Sequence, residues 1–240
     1  MITQVLILAG GYGTRMSPAN NPYRSKPLIE YAGQPMIGHL IDGLKEGGLE
    51  RYIIASGYHN HDELRRVISE KEIDACIIPI KGGFRRVPYY LLDLLDERFL
   101  LVCGHQPLPS DFVRRMLQLA VSCECVITAY DNLTYPLNKK RRLVFVGDPG
   151  NDHGFEIKPI DMERDRIDIH HMYVRNPYVI GRGVVRLSKE GGFQWSFSHY
   201  VFEYWVNGGS LGVVKATMPP EFDYDEEFER TKMYLDSLSS

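Results

Sequence analysis

The first 130 residues alternate short apolar runs with stretches of helical period, and that alternation leaves the chain few folds. The runs QVLILA (4–9), RYIIAS (51–56), ACIIPI (75–80) and FLLVC (99–103) are largely apolar. Such runs are expected of strands buried on both faces. Between the first two, PMIGHLIDGLKEGG (35–48) sets Met36, Ile37, Leu40, Ile41 and Leu44 on one helical face, with proline at its start and paired glycines at its end. NHDELRRVISEK (60–71) predicts a second helix, with Asn60 and Glu63 at capping-box spacing. VPYYLLDLLDE (87–97) and SDFVRRMLQLAVS (110–122) predict two more, the latter with Ser110 as N-cap, and ECVITAY (124–130) predicts a further strand. Alternation of this kind implies right-handed crossovers. The expected class is α/β, with a Rossmann-like mixed, mostly parallel sheet and helices on both faces.

After about residue 131 the pattern changes. RRLVFVGD (141–148), GFEIKP (154–159) and PYVIGRGVVRL (177–187) read as strands, and the polar segment 161–176 resists assignment. A helix near 198–209, a strand over 210–217 and a final helix over 225–238 close the chain. No repeat or linker interrupts it, so a single domain, 1–240, is expected, with lobes at 1–130 and 131–240.

Composition excludes more than it selects. A formal net charge of -3 offers no field for nucleic acid or an anionic membrane, and no apolar run reaches membrane-span length. The apolar run 5–9 is too short for a signal-peptide core. Cys76, Cys103, Cys123 and Cys125 make a poor disulfide or zinc framework, so reduced core thiols in a cytoplasmic protein are expected.

The most informative local feature is LAGGYGTR (8–15), a glycine-rich turn directly after the first strand. It is not a P-loop, because no lysine stands at the required distance. Nor is it the dinucleotide fingerprint, because Met16 occupies the third glycine position. Glycines here let backbone N–H groups approach a ligand, and Arg15 and Lys26 add two cations, a combination that suits a triphosphate. Taken alone, such a turn is equally a plain strand–loop junction with a solvated arginine.

Read with SKPLIEYAGQPMI (25–37), the loop resembles the signature of the sugar-1-phosphate nucleotidyltransferases, which make nucleotide sugars. Gly10, Gly11, Gly13, Thr14, Arg15, Pro18, Lys26, Pro27, Leu28, Gly33, Pro35, Met36 and Ile37 all match that family's pattern. FLLVCGHQPLPSDF (99–112), GFEIKP and EFDYDEEFERTKMYL (221–235) resemble its later motifs more loosely. The resemblance implies transfer of a nucleotidyl group from a nucleoside triphosphate to a sugar phosphate, with Mg²⁺ (or Mn²⁺) as cofactor. By position it implies that Arg15 and Lys26 are catalytic, and that Leu8, Ala9, Gly10, Gly11, Gly13, Thr14, Gly82 and Gly83 bind the nucleotide. Lys158 would contact the acceptor, and Asp223 and His105 would stand at the metal positions. Nucleic-acid and membrane partners are not expected; a homo-oligomer is left open.

Three departures stand out. Gly104-His105 replaces the family's G-D turn, so imidazole stands where Mg²⁺ prefers an oxygen ligand. Ile157 replaces the glutamate of the E-K-P strand, and GGFRRVPYY (82–90) replaces a small-residue turn. His105 can ligate a softer metal, can merely fill the slot, or can mark a catalytically impaired homologue that still binds nucleotide. His59, His61, His170 and His171 lack a set of partner ligands and read as surface residues, and NKKRR (138–142) reads as a solvated hairpin tip. The aromatic residues between Trp195 and Trp205 read as core packing, a pocket wall or a subunit contact.

Overall fold

A computed structural model describes residues 2–81, 87–96, 98–123, 125–131, 165–168, 172–174, 211–216, 218–219 and 222–239. The expected strands 141–148, 154–159 and 177–187 and the helix 198–209 lie outside the described residues, as do Gly82, Gly83, Ile157, Lys158, His170 and His171.

Strand β1 (Gln4–Ala9) is buried along its whole length. The chain then wanders to a 3-10 turn over Lys26–Leu28 and a small hairpin, β2 (Glu30–Tyr31) and β3 (Gln34–Pro35). Ala32 and Gly33 both have positive φ, the twist a two-residue hairpin turn needs. Helix α1 (Met36–Glu46) follows directly, and then β4 (Arg51–Ser56), α2 (His61–Glu70) and β5 (Ala75–Pro79). A short helix α3 (Val87–Tyr90) and a 3-10 turn (Leu92–Leu94) stand where one helix over 87–97 was expected. Strand β6 (Phe99–Cys103) and helix α4 (Ser110–Leu119) come next, then β7 (Cys125–Asp131), β8 (Asp165–Asp168), β9 (Met172–Val174), β10 (Leu211–Lys215) and the closing helix α5 (Asp225–Ser239).

The main sheet has the order β5-β4-β1-β6-β9. β1 pairs in parallel with β4 on one side and β6 on the other, β4 pairs in parallel with β5, and β9 closes the far side antiparallel to β6. A second sheet, β10-β7-β8, joins β10 parallel and β8 antiparallel to β7. The mostly parallel α/β class read from the sequence is the observed one, and the unassigned segment 161–176 supplies β8 and β9.

Val5, Ile7 and Ala9 from β1 share one core with Leu40, Ile41 and Leu44 of α1, Leu64, Val67 and Ile68 of α2, and Phe112, Val113 and Met116 of α4. Leu6 and Leu8, on the alternate face, are buried too. Each such side chain contributes roughly 1.5–3 kcal/mol by leaving water. Within this core α1 approaches the segment leading into α4 through Gly43: a Cβ built there would clash with the Leu108 carbonyl oxygen. Helix propensity alone would make Gly43→Ala stabilising by about 1 kcal/mol. Because the obstacle is backbone, the substitution is instead expected to cost about 1–2 kcal/mol net. A thermal melt of the variant checks this, and a raised melting temperature would refute it.

Two expected caps are corrected. Helix α4 begins at Ser110 itself, with Pro109 in the N-cap position, so the Ser110 hydroxyl accepts from the Arg114 guanidinium at 3.0 Å instead of capping. Asn60 does precede α2, but its side chain makes no capping bond. Cys103 is buried as expected, whereas Cys76 is exposed, because β5 is less covered than the central strands.

Candidate functional site

The site lies at the carboxyl ends of β1 and β6. Here the loops of neighbouring strands part, and in open α/β sheets that crevice is where ligands bind. The Gly104 N–H donates to the Leu8 carbonyl at 2.9 Å, extending the β1–β6 ladder by one step. That step sets His105 beside the end of β1.

The glycine loop is shaped by close approach. A Cβ at Gly10 would fall 2.5 Å from the Gly57 nitrogen, so the turn after β1 lies directly against the turn after β4. Gly13 has φ +58, and a Cβ there would meet the Asn21 amide nitrogen at 2.3 Å. The Asn21 side chain fastens the loop from the far side: its amide donates to the Gly13 carbonyl at 3.3 Å, and its oxygen accepts from the Ser25 N–H at 2.8 Å. Leu8 and Ala9 end β1 and Gly10 follows it directly; Gly11 and Gly13 are half-buried, and Thr14 is exposed.

Asn60 is the fastening that sequence reasoning misassigned. It is 2% exposed. Its oxygen accepts from the Gly57 N–H at 2.9 Å, and its amide nitrogen donates to the Ala9 carbonyl at 2.8 Å and the Ser25 hydroxyl at 2.7 Å. One side chain thus ties together the end of β1, the end of β4 and the residue before Lys26. The only hint in the sequence was a polar amide at the end of the turn between β4 and α2, and capping spacing explained that equally well.

Lys26 is nearly buried, with its side chain 11% exposed. Its ammonium donates to the Phe222 carbonyl at 2.8 Å, to Asp223 Oδ1 at 2.6 Å and to His105 Nε2 at 3.3 Å. An ammonium can only donate, so His105 presents the lone pair of Nε2 and carries its proton on Nδ1. The His105 ring stands edge-on to Phe222, with centroids 5.1 Å apart. The other oxygen of Asp223 accepts from the more exposed Arg15 guanidinium. The structure therefore brings four predicted residues, Arg15, Lys26, His105 and Asp223, to one point.

Helix α5 carries Asp223 to that point. Phe222, Phe228 and Leu235 pack with Met16, Ile29 and Met36, so the segment is anchored by apolar burial. Asp225 accepts from the Ser17 N–H at 3.2 Å, and the Ser17 hydroxyl is the first of several bonds that hold its carboxyl below the usual range. The Asp223 N–H donates to Glu227 Oε2 at 2.6 Å.

Asp223 and His105 do not fit a resident divalent ion in this arrangement. Both donors are turned onto the Lys26 ammonium, which stands between them in the place of a cation. Among the described residues no group of three His, Cys, Asp or Glu side chains converges. An octahedral ion would need several more oxygens.

The family model for the MobA-like NTP transferase domain matches residues 5–145, more than half of the chain. The chain belongs to this family. Over 55 residues it is 44% identical to a probable mannose-1-phosphate guanylyltransferase of Oryza sativa subsp. japonica, a stretch covering 23% of this chain and 15% of that protein. The chain thus matches about one-seventh of the length of such curated relatives. Solved structures of the same fold include a putative glucose-1-phosphate thymidylyltransferase from Bacillus anthracis (TM-score 0.73, 15% identity, covering 96% of this chain and 94% of that one). Another is the 4-diphosphocytidyl-2C-methyl-D-erythritol synthase from Anaerococcus prevotii (TM-score 0.67, 15% identity, 98% of both chains). Nucleotidyltransferases of this type generally use divalent metals. In this NTP transferase domain the matched region includes the glycine loop, Lys26 and His105; Asp223 lies outside it. None of the described helices is long and apolar enough to cross a membrane.

Proposed function

We propose that this chain transfers a nucleoside monophosphate from an NTP to a sugar 1-phosphate, or a related phosphorylated acceptor, releasing pyrophosphate. The observation that carries this reading is the pairing of Arg15 and Lys26 on the single carboxylate of Asp223, at the mouth of the glycine loop. Two cations converging on the position of one small anion form the positive seat that a triphosphate requires.

In this reading an oxygen of the acceptor phosphate attacks the α-phosphorus. A P–O bond forms, the bond from the α-phosphorus to the bridging oxygen breaks, and its electron pair leaves with pyrophosphate. The nucleophile is already an anion, so no general base is needed, and catalysis rests on positioning and charge neutralisation. Arg15 grips the triphosphate, and Lys26 neutralises charge at the α-phosphate. Leu8, Ala9, Gly10, Gly11, Gly13 and Thr14 line the nucleotide with backbone. The family resemblance assigns Gly82 and Gly83 to the nucleotide and Lys158 to the acceptor. Asp223 holds both cations until substrate phosphate replaces it. Mg²⁺ or Mn²⁺ is expected as the counter-ion of the triphosphate, and the protein's own share of the charge neutralisation comes from Arg15 and Lys26. The cytoplasm, where such substrates and free thiols coexist, is the proposed location.

A coupled pyrophosphate assay over the four common NTPs, several sugar 1-phosphates and both metals tests this. Release with one preferred base is expected, and no release from folded protein under any combination would overturn it. The closure of Asp223 and His105 on Lys26 favours one second reading, a nucleotide-binding homologue without turnover acting as a partner or regulatory subunit. That reading predicts calorimetric nucleotide binding with no pyrophosphate, and tighter metal binding in His105→Asp.

A further inference from the structure

Tyr12 projects from the glycine loop, between Gly11 and Gly13, with 59% of its surface exposed. Its ring stacks on that of His59, with centroids 4.1 Å apart and planes 19° from parallel. His59 comes from the turn after β4, and its ring rests against Gly57: a Cβ built there would fall 2.5 Å from both Nδ1 and Cε1. Although the residue is exposed, partial desolvation of its ring holds its pKa below the ordinary histidine value, opposed by a bond to the Arg24 backbone. At neutral pH it is therefore an uncharged aromatic ring.

The sheet order gives this pair a direction. β1 lies between β4 and β6. Lys26, His105 and Asp223 gather where the β1 and β6 loops part, whereas Tyr12 and His59 bridge the β1 and β4 loops. A nucleotide whose phosphates sit on the cations and whose ribose crosses Gly10 and Gly11 reaches the aromatic pair with its base. Exposed stacked rings beside a phosphate seat present a π-face, which a nucleobase uses and an inorganic phosphate cannot.

We propose that Tyr12 and His59 form a stacking platform for the nucleobase and act as residues that determine nucleotide specificity. The proposal rests on the nucleotidyltransferase reading of the site for the direction of the phosphates, and it adds where the base lies. It assigns His59, which sequence spacing made a bland surface residue, a ligand contact.

The test uses calorimetry on the full chain, with the four common NTPs and inorganic tripolyphosphate as probes. Wild-type protein is expected to bind its preferred NTP more tightly than tripolyphosphate. Tyr12→Ala and His59→Ala are expected to weaken the NTP by about 5- to 100-fold while leaving tripolyphosphate within about 2-fold, within the ordinary scatter of unrelated surface changes. Tyr12→Phe, which keeps the ring, should restore affinity. Equal weakening of NTP and tripolyphosphate would overturn the platform in favour of a general loop effect, and unchanged NTP affinity in both alanine variants would overturn it outright. These outcomes are read from binding. Failure of the catalytic reading appears separately, as nucleotide binding without pyrophosphate release.

Discussion

Lys26→Ala is expected to lower kcat/KM for pyrophosphate release by about 10²–10³-fold, the usual loss when one preorganised donor to transition-state charge is removed. The larger part should appear in kcat. Arg15 and the loop N–H groups remain to bind the triphosphate, whereas the nearly buried ammonium is the cation held deepest in the site. Arginine is not expected to rescue it. The ammonium is a compact point donor shared among the Phe222 carbonyl, Asp223 and His105 Nε2, and a planar guanidinium does not fit that tripod. Steady-state kinetics beside a melting curve separate lost chemistry from lost fold. A loss under about 3-fold, well short of what any charge-stabilising donor gives, would remove Lys26 from the mechanism.

The second large effect concerns stability. Asn60→Ala leaves the Gly57 N–H and the Ala9 carbonyl without their partner, in a position where Asn60 itself is buried. Each stranded backbone group costs about 1–3 kcal/mol, so a total near 2–6 kcal/mol is expected. For a chain of this size that lowers the melting temperature by roughly 4–24 °C. Asn60→Asp distinguishes the two roles this residue can have. An aspartate caps a helix as well as asparagine, so a capping role predicts almost no change. In the observed role, aspartate keeps the acceptor for Gly57 but loses both donors and sets a carboxylate oxygen against the Ala9 carbonyl. It should then be at least as damaging as alanine. A melting temperature for Asn60→Asp within about 2 °C of wild type, under 1 kcal/mol, would return Asn60 to the role of a simple cap.

Asn60 and Gly43 show why local reading fails in particular places. Both have a satisfactory local explanation: a capping residue before a helix, and a tolerated glycine within one. Both are in fact fixed by partners distant in sequence, the Ala9 carbonyl and the Leu108 carbonyl. Local pattern cannot weigh such partners, because propensity and spacing extend only a few residues. The broken helix after Val87 belongs with them. Its apolar content predicted one helix over 87–97, and the structure divides it at Leu91.

By itself the sequence determined the class of sheet, because largely apolar runs such as QVLILA and FLLVC alternate with stretches of helical period, the pattern of strands buried on both faces. It also determined the loop and its two cations, because glycine spacing and charge are local properties. The tertiary structure alone decided what those cations do at rest. Arg15 and Lys26 lie about two hundred residues from Asp223, as Ser17 does from Asp225, and only the docking of α5 on Met16, Ile29 and Met36 brings them together. It likewise decided that His105 faces an ammonium. Histidine in place of aspartate is visible in one dimension, but the atom its lone pair meets depends on where three separate segments are packed.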